Sequence, residues 1–522
     1  MRRCGATLVF ALALGIVGVA AVVDRTTLAR RNHGRFAPKQ RARRGDDADP
    51  AAISSSLTTP PPVSVIIPLR RSLRDAGGEG AARRRPQPRR RSIVKEGSTP
   101  AEGVEARWMN SSKDVHAFLT FDYRVHRDDI TPESASKYDY VWGASVYNLA
   151  NFTSASPDTI YSAYMPFNRD FTAQGLAWWK AHHPDMIMYK CDRTTPAYEC
   201  FPGESCPYGP VPLTPLDVSL PKTLAWQVTH RMLPALKLGY QAVDLDNYCL
   251  DNPFAACGSY SGANGSWVQK YTGEYVDAAW ERDVLDWTRR LQLVARGLGM
   301  LVIPNFQISR AWNDTGVLAV GNFTDGILDE GGFVYWGPDN QWNWTGQASM
   351  NAAAYENRLR FVRNLQRQGK AYYMINEWGP GTDYNMNPAE VPFNISGIEN
   401  RWIRQYVVAT YLLIRGDACA VYLVCSQCYG NWSWWPEYSE ARVGAPTDDE
   451  PRRVASLDGQ WVWTRRYANG VVFVNPESVD VARAPATIRL DRSLRDLYGR
   501  VYAEGSVLSL NATNGIVLLL VN

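Results

Sequence analysis

The feature that most constrains the fold is a repeated alternation of short apolar runs and amphipathic stretches, which recurs about eight times over roughly 310 residues. The runs with strand character are Val115–Phe121, Tyr140–Trp142, Met186–Tyr189, Ala242–Leu245, Met300–Ile303, Gly326–Leu328, Tyr372–Ile375 and Ala420–Val424. Apolar residues spaced by three or four positions predict helices between them, at Phe171–His182, Leu224–Leu238, Tyr275–Gly297, Ala352–Gln368 and Ile403–Ile414. Regular alternation of this kind indicates a parallel sheet, and eight units fit a closed (β/α)8 TIM barrel better than an open doubly wound sheet. No glycine-rich dinucleotide fingerprint follows the first run, which further weakens the open-sheet interpretation.

The pattern changes near Gln460, where strand-like runs are separated by turns such as Asn469-Gly470. This pattern predicts a small antiparallel β domain of about 65 residues. We therefore expect a catalytic barrel over residues 106–455 and a β-sandwich-like domain over residues 456–522.

Charge divides the chain in two. Residues 1–105 contain 20 basic and 9 acidic residues, whereas the remainder contains 36 and 43 and holds all 19 Trp and 27 Tyr. Residues 25–105 have arginine clusters, Pro60 to Pro62 and almost no aromatic residues, so they cannot bury enough apolar surface to offset the entropy of ordering. We interpret them as a disordered basic stem, with the arginine clusters favouring a solvated tether over a polyanion-binding site. The positive charge thus gives no reason to expect nucleic-acid binding.

The N-terminus has the pattern of a secretory targeting segment. Arg2 and Arg3 precede an uncharged run from Cys4 to Val23, which predicts a signal anchor or a signal peptide over residues 1–24. The expected location is the secretory pathway, either as a single-pass type II membrane protein of the Golgi or cell surface or as a secreted protein. Eight of the nine cysteines lie in the body, which suits disulfides, with Cys200–Cys206 and Cys249–Cys257 close enough for local loops. Nine Asn-x-Ser/Thr sequons indicate a glycosylated surface, at Asn110, Asn151, Asn264, Asn313, Asn322, Asn343, Asn394, Asn431 and Asn511.

Carboxylates cluster at the predicted strand ends, where a barrel places its catalytic groups. The fourth, sixth and seventh strands end on Asp244 and Asp246, on Asp329 and Glu330, and on Asn376 and Glu377. Because side chains alternate along a strand, Asp244 and Asp246 share a face, while Asp329 should point away from Glu330 and be structural.

Two carboxylates across a pocket are what glycosidic bond cleavage requires, one to attack or stabilise the anomeric carbon and one to protonate the leaving oxygen. We predict Asp246 as nucleophile or base and Glu330 as general acid. Aromatic residues near the same strand ends suit the apolar faces of sugars, among them Trp342 and Trp344, whereas the spacing of Trp280 and Trp287 is typical of a core. The predicted substrate-binding residues are Asp244, Asn247, Tyr248, Asn305, Trp336, Asn376, Glu377 and Trp378. We predict a carbohydrate substrate and neither a cofactor nor a metal.

Three motifs in order give the chain a resemblance to a known family. Val-Asp-Leu-Asp-Asn at strand four, Asp-Gly-Ile-Leu-Asp-Glu-Gly at strand six and Tyr-Ala-Asn-Gly-Val-Val-Phe-Val-Asn-Pro at 467–476 resemble the glycoside-hydrolase-like family 15. The chain is more distantly similar to the family 114 α-galactosaminidase-type barrels. The resemblance covers about residues 107–522. It implies a TIM-barrel hydrolase in which Asp246 and Glu330 match the acidic strand ends, but it supplies no substrate.

Two alternatives remain open from the sequence. Asp244-x-Asp246 behind a type II anchor and stem is the layout of many Golgi glycosyltransferases, although these need an open nucleotide-binding sheet. A catalytically inactive, glycan-binding barrel would keep the aromatic residues without needing both Asp246 and Glu330.

Overall fold

The computed structural model describes residues 113–122, 125–170, 175–197, 213–308, 310–333, 352–377, 401–416, 418–424, 430, 434–477 and 483–521. Eight parallel strands form one sheet: β1 Ala117–Thr120, β2 Tyr138–Trp142, β3 Ile160–Pro166, β4 Ala242–Asp246, β5 Leu301–Pro304, β6 Gly326–Asp329, β7 Ala371–Glu377 and β8 Cys419–Val424. The predicted stem and the predicted signal anchor or signal peptide lie outside the described residues. Within the described ranges, no helix is both long and apolar enough to cross a bilayer.

The sheet closes into a barrel. The strand order is β6-β7-β8-β1-β2-β3-β4-β5, so β8 pairs with β1 and the two ends of the sheet are β5 and β6. A parallel bridge between Asn305 and Leu328 joins those ends, and the Phe306 amide donates to the Leu328 carbonyl at 2.8 Å. The fold is therefore the predicted (β/α)8 TIM barrel.

Helices connect the strands on the outside of the barrel. The main ones are α1 Val146–Ala155, α2 Gly175–His182, α3 (Pro221–Gln227, the π turn Val228–Met232 and Leu233–Leu238), α4 Ala278–Leu298, α5 Thr315–Phe323, α6 Ala352–Arg367 and α7 Arg401–Ile414. Helix α4 starts at an Asp277 cap whose carboxylate accepts from the Ala279 and Trp280 amides. Its Trp280 and Trp287 are buried, which confirms their predicted core role.

The predicted third strand is wrong. Met186–Tyr189 does not join the barrel, because Pro184–Met186 is a 3₁₀ turn and Ile187 and Tyr189 make only isolated bridges. They pack with Trp179 in a separate apolar cluster of the long β3–α3 connection. The third barrel strand is Ile160–Pro166, whose register aligns Tyr164 with Asp244 and Pro166 with Asp246.

The suggested local disulfide between Cys249 and Cys257 is also wrong. Cys257 bonds to Cys191, 66 residues away, and Cys249 belongs to a different disulfide. The Cys191–Cys257 bond ties the β3–α3 connection to the loop after β4. Cys419 is a free, buried thiol in β8, so not all eight cysteines of the body form disulfides. The suggested Cys200–Cys206 pair lies outside the described residues.

The C-terminal region forms antiparallel sheet, as predicted. Six strands have the order β9-β10-β11-β16-β13-β14, and β12 pairs separately with β15; the bounds are β9 Arg452–Ala455, β10 Trp461–Tyr467, β11 Gly470–Asn475, β12 Ala486–Arg489, β13 Leu494–Asp496, β14 Val501–Tyr502, β15 Val507–Leu510 and β16 Asn514–Leu520. Buried Arg465 on β10 donates to the Leu413 and Arg415 carbonyls at 3.3 and 2.6 Å, which satisfies unpaired groups at the C-terminal end of α7.

Candidate active site

Asp244 forms a polar layer inside the barrel. Its carboxylate is fully buried and accepts hydrogen bonds from the Tyr140 hydroxyl and the Gly143 amide, each at 2.7 Å, and from the Ser162 hydroxyl. Burial raises the pKa of Asp244 well above its ordinary value, against these three bonds. Because its oxygens are engaged by β2, β3 and the turn after β2, Asp244 connects the strands beneath the mouth of the barrel.

Asp246 and Glu330 lie together above this layer. The Asn305 amide nitrogen, at the end of β5, donates to Asp246 Oδ1 at 3.2 Å and to Glu330 Oε2 at 2.9 Å. All three residues are buried: Asp246 is 1% exposed, Glu330 2% and Asn305 9%. The structure thus brings together three of the predicted site residues, from β4, β5 and the end of β6, on one donor nitrogen.

The hydrogen bonds of Asp246 fix its orientation. Its Oδ2 accepts from the Tyr164 hydroxyl at 2.8 Å and from the Asn247 side-chain amide at 3.0 Å, whereas its Oδ1 accepts from Asn305. Burial raises the pKa of Asp246 above its ordinary value, while these bonds and the positive charge of Arg169 act in the opposite direction. The carboxylate is therefore held by polar contacts that favour its charged form inside a desolvated pocket.

Two backbone positions set the ends of β4 and β6. Asn247 has a positive φ of 57°, which turns the chain directly after Asp246 and returns its side chain to that carboxylate. Gly332 has φ of 47°, and a Cβ there would collide with the Ile375 carbonyl and the Asn376 side chain. The sharp turn after Glu330 therefore requires glycine, as its Gly331-Gly332 sequence indicates.

Asp329 points away from Glu330 and is structural in its contacts. It is fully buried, pairs with the Arg358 guanidinium of α6 at 3.2 Å and accepts from the Tyr372 hydroxyl at 2.8 Å. Burial raises its pKa, against the charge of Arg358. The adjacent carboxylates at the end of β6 thus face opposite sides of the barrel wall.

Tyr248 faces the helix layer rather than the site. Its hydroxyl is 2.8 Å from the Thr288 hydroxyl on α4, and its ring packs against Phe167 and Phe306. This position gives Tyr248 a packing role and no support as a substrate contact.

Of the other predicted binding residues, Asn376 is buried at the end of β7, where its Oδ1 accepts from the Phe333 amide at 3.0 Å. Glu377 is the last residue of β7, and its side chain is not among the described ones. Trp336, Trp342, Trp344 and Trp378 lie outside the described residues.

The sequence interpretation does not find Tyr164 and Arg169. Tyr164 bonds Asp246 directly, and Arg169 lies on a two-residue strand that follows β3. Both depend on Ile160–Pro166 being a strand, and its Ile and two Tyr residues, ending at a proline, are the signal that could have found it. His116, expected in the core, is buried and bonds to Asp139 at 2.8 Å.

Metal binding by Asp244-x-Asp246 finds no support in the described ranges, where no group of three or more His, Cys, Asp or Glu side chains is arranged to hold an ion. The oxygens of Asp244 are instead occupied by neutral donors from Tyr140, Gly143 and Ser162. The closed barrel also differs from the open sheet that the transferase alternative needs.

Stability measurements should separate the two aspartates of β4. We expect Asp244→Ala to lower the free energy of unfolding by about 3 kcal/mol, because the Tyr140 hydroxyl and the Gly143 amide lose their acceptor in the core. Asp246 has a higher pKa in the folded state than in the unfolded chain, so its ionisation lowers the free energy of unfolding as the pH rises between the two pKa values. Asn cannot ionise, so Asp246→Asn should leave the free energy of unfolding at pH 7 unchanged or higher. Urea unfolding of both variants at pH 5 and pH 8 tests this, and a larger loss for Asp246→Asn than for Asp244→Ala would contradict it.

No protein-family model matches the sequence, and no curated protein is similar to it. The resemblance to families 15 and 114 therefore gains no support at that level.

Solved structures with a similar fold are glycoside hydrolases. An α-amylase from Malbranchea cinnamomea is 10% identical with a TM-score of 0.43, and the match covers 81% of this chain and 97% of that one. An α-amylase from Lactobacillus plantarum is 8% identical with a TM-score of 0.41, covering 80% and 100%. A GH36 α-galactosidase from Geobacillus stearothermophilus is 12% identical with a TM-score of 0.38, covering 80% of this chain but 57% of that one. At these values the likeness concerns the fold alone, and the strand topology itself identifies the chain as a TIM barrel.

Proposed function

We propose that the chain is a glycoside hydrolase that cleaves the O-glycosidic bonds of a polysaccharide or glycoconjugate with net retention, using Asp246 as nucleophile and Glu330 as acid and base. The observation that carries this proposal is the Asn305 nitrogen shared between the two carboxylates. Strand-end carboxylates at the C-terminal face of a barrel are in the position that this fold uses for catalysis.

The separation of the carboxylates supports retention. Asp246 Oδ1 and Glu330 Oε2 lie 3.2 and 2.9 Å from one nitrogen, so these two oxygens are closer to each other than the roughly 6.5 Å at which the inverting range begins. A separation below the inverting range favours direct attack by a carboxylate, for which the pair is about 5 Å apart.

In the first step, Asp246 Oδ1 would attack the anomeric carbon while the glycosidic C–O bond breaks and Glu330 gives its proton to the leaving oxygen. In the second step, the Glu330 carboxylate would take a proton from water as the water oxygen attacks the same carbon, which releases Asp246. The Tyr164 hydroxyl and the Asn247 side chain hold Oδ2, whereas Oδ1 is the oxygen that Asn305 places beside Glu330, so Oδ1 is the oxygen assigned to the attack.

The test is a panel of aryl glycosides and complex glycans incubated with the full chain beside the Asp246→Asn/Glu330→Gln double variant. We expect at least one glycoside to be cleaved by the wild type and not by the double variant. If no glycan is cleaved but one is bound, the inactive glycan-binding barrel is the better explanation. Hydrolysis of a nucleotide sugar with Mn²⁺, without glycosidase activity, would favour the transferase.

We also infer that the enzyme works in the secretory pathway, as a type II membrane or secreted protein. The Cys191–Cys257 disulfide suits an oxidising compartment. Among the described sequon residues, Asn151 is half-buried, whereas Asn264, Asn313, Asn322 and Asn511 are exposed and so accessible to glycosylation. An unchanged electrophoretic mobility of the cell-made protein after removal of N-glycans would count against this inference.

A further inference from the structure

Arg169 is placed beside the proposed nucleophile by the path of the chain. In the β3–β4 register Pro166 is paired with Asp246, and the Phe167 amide donates to the Asp246 carbonyl at 3.2 Å. Three residues after Pro166, Arg169 is only 4% exposed. Its charge acts on the Asp246 carboxylate and on the Tyr164 hydroxyl that bonds it.

The ring of Phe254 packs against the Arg169 guanidinium. The guanidinium carbon of Arg169 lies 4.2 Å from the centre of the Phe254 ring, which is a close cation–π contact for a desolvated pair. Phe254 is buried in the loop after β4, which Asn252 stabilises by bonds to Ala256 and which the Cys191–Cys257 disulfide anchors. The loop therefore fixes where the charge of Arg169 lies.

Two other arginines, Arg231 and Arg310, form ion pairs with carboxylates other than Asp246. Arg231 pairs at 2.5 Å with Asp170, the residue that follows Arg169 in the chain. Arg310 pairs with Asp251 at 2.5 Å and with Glu281 at 2.8 Å. Arg231 is thus a matched control for Arg169, because it is a nearby cation that is directed at a different carboxylate.

We propose that Arg169 is a positioning residue that keeps Asp246 in its carboxylate form, ready for attack, and that Phe254 keeps the guanidinium in place. This inference rests on the proposed role of Asp246. Among the described residues, the titratable or charged groups that face Asp246 are Asp244 below it, Tyr164 on β3, Glu330 across the shared amide, and Arg169. Burial is the largest influence that disfavours the charged form of Asp246, and the fixed cation of Arg169 counteracts it.

The direct test follows the ionisation of Asp246 itself. In the full chain labelled with ¹³C at aspartate carboxyls, the Asp246 signal is identified by its loss in Asp246→Asn, and its titration midpoint is compared among variants. We expect the midpoint to rise by about one pH unit or more in Arg169→Gln, less in Phe254→Leu, little in Arg169→Lys and not at all in Arg231→Gln. An unchanged midpoint in Arg169→Gln, or an equal rise in Arg231→Gln, would overturn the proposal.

A kinetic readout separates this proposal from that of the function. With a 2,4-dinitrophenyl glycoside the leaving group needs no proton, so the low-pH limb of kcat/KM reports the nucleophile rather than Glu330. In Arg169→Gln that limb should move to higher pH, with kcat/KM about tenfold lower on the limb and nearly unchanged on the plateau.

The two proposals can fail separately, because the titration of Asp246 needs no turnover. A chain that cleaves no glycoside would refute the proposed function, while the titration midpoint would still support or refute the role of Arg169. A misfolded Arg169→Gln would lower kcat/KM on the plateau and on the low-pH limb alike. Arg169→Lys then decides, because a wild-type titration midpoint for Asp246 in that variant supports the role of the charge and a raised midpoint refutes it.

Discussion

Replacing Asp246 with asparagine is expected to lower kcat on a cleavable glycoside by on the order of 10⁴-fold or more. The amide cannot form the glycosyl ester. Its one carbonyl oxygen can still accept from Asn305, and its NH2 can donate to the Tyr164 hydroxyl oxygen, so the side chain should stay in place. Substrate affinity should therefore change far less than turnover. Steady-state kinetics with equilibrium binding to the inactive variant would measure both quantities.

Asp329→Asn is the matched control for this loss, because Asp329 is a buried barrel carboxylate that faces α6 and not the site. It should lower stability through the loss of its ion pair with Arg358 and leave kcat close to that of the wild type at a temperature where the variant is folded. Wild-type turnover by Asp246→Asn, or equal losses in the two variants, would contradict the assignment of the nucleophile.

Replacing Glu330 with glutamine should have an effect that depends on the leaving group. For a glycan, whose leaving alkoxide needs a proton, we expect kcat/KM to fall by about 10² to 10⁴-fold. For a 2,4-dinitrophenyl glycoside, which leaves as a stable anion, the first step should be almost unaffected and the second step should become rate-limiting. Rapid-mixing kinetics should then show a burst of dinitrophenolate equal to the enzyme concentration. Equal losses on both substrates would contradict the role of Glu330 as general acid.

The barrel could be predicted from the sequence because its signal is periodic and local. Each strand–helix unit repeats the same apolar spacing, and the carboxyl ends of parallel strands all meet at one face. Asp246 and Glu330 could thus be expected at the same mouth although 84 residues separate them in the chain. The alternation of side chains also separates Glu330 from Asp329 correctly.

The contacts that tune the site could not be predicted, because they depend on register between strands. Tyr164 meets Asp246 only because β3 is Ile160–Pro166 and pairs with β4 as it does, whereas the apolar pattern of Met186–Tyr189 predicts a strand that the barrel does not contain. The shared bonds of Asn305 depend on where the ends of the sheet close. Tyr248 follows the strand-four motif directly, yet the left-handed turn at Asn247 sends it towards α4.

The disulfide pattern shows a similar limit. Closeness in sequence suggests Cys249 with Cys257, but a pairing is set by the distance between Cα atoms in the fold, which is 5.0 Å for Cys191 and Cys257. The Cys191–Cys257 disulfide joins the connection that follows β3 to the loop that follows β4. A local sequence pattern cannot predict this contact, because the two cysteines are 66 residues apart. The disulfide also anchors the loop of Phe254, so the electrostatics of the site depend on it.

The most direct measurement is the identification of the covalent intermediate. Once a cleaved glycoside is known, the matching 2-deoxy-2-fluoro glycosyl fluoride should inactivate the full chain, because the ring fluorine slows both steps while the fluoride leaving group keeps the first step fast. Peptide mass spectrometry should then find one glycosyl group, bound to Asp246 and absent from Asp246→Asn. A label on Glu330 or on another side chain, or hydrolysis that inverts the anomeric centre, would contradict the two-carboxylate retaining mechanism.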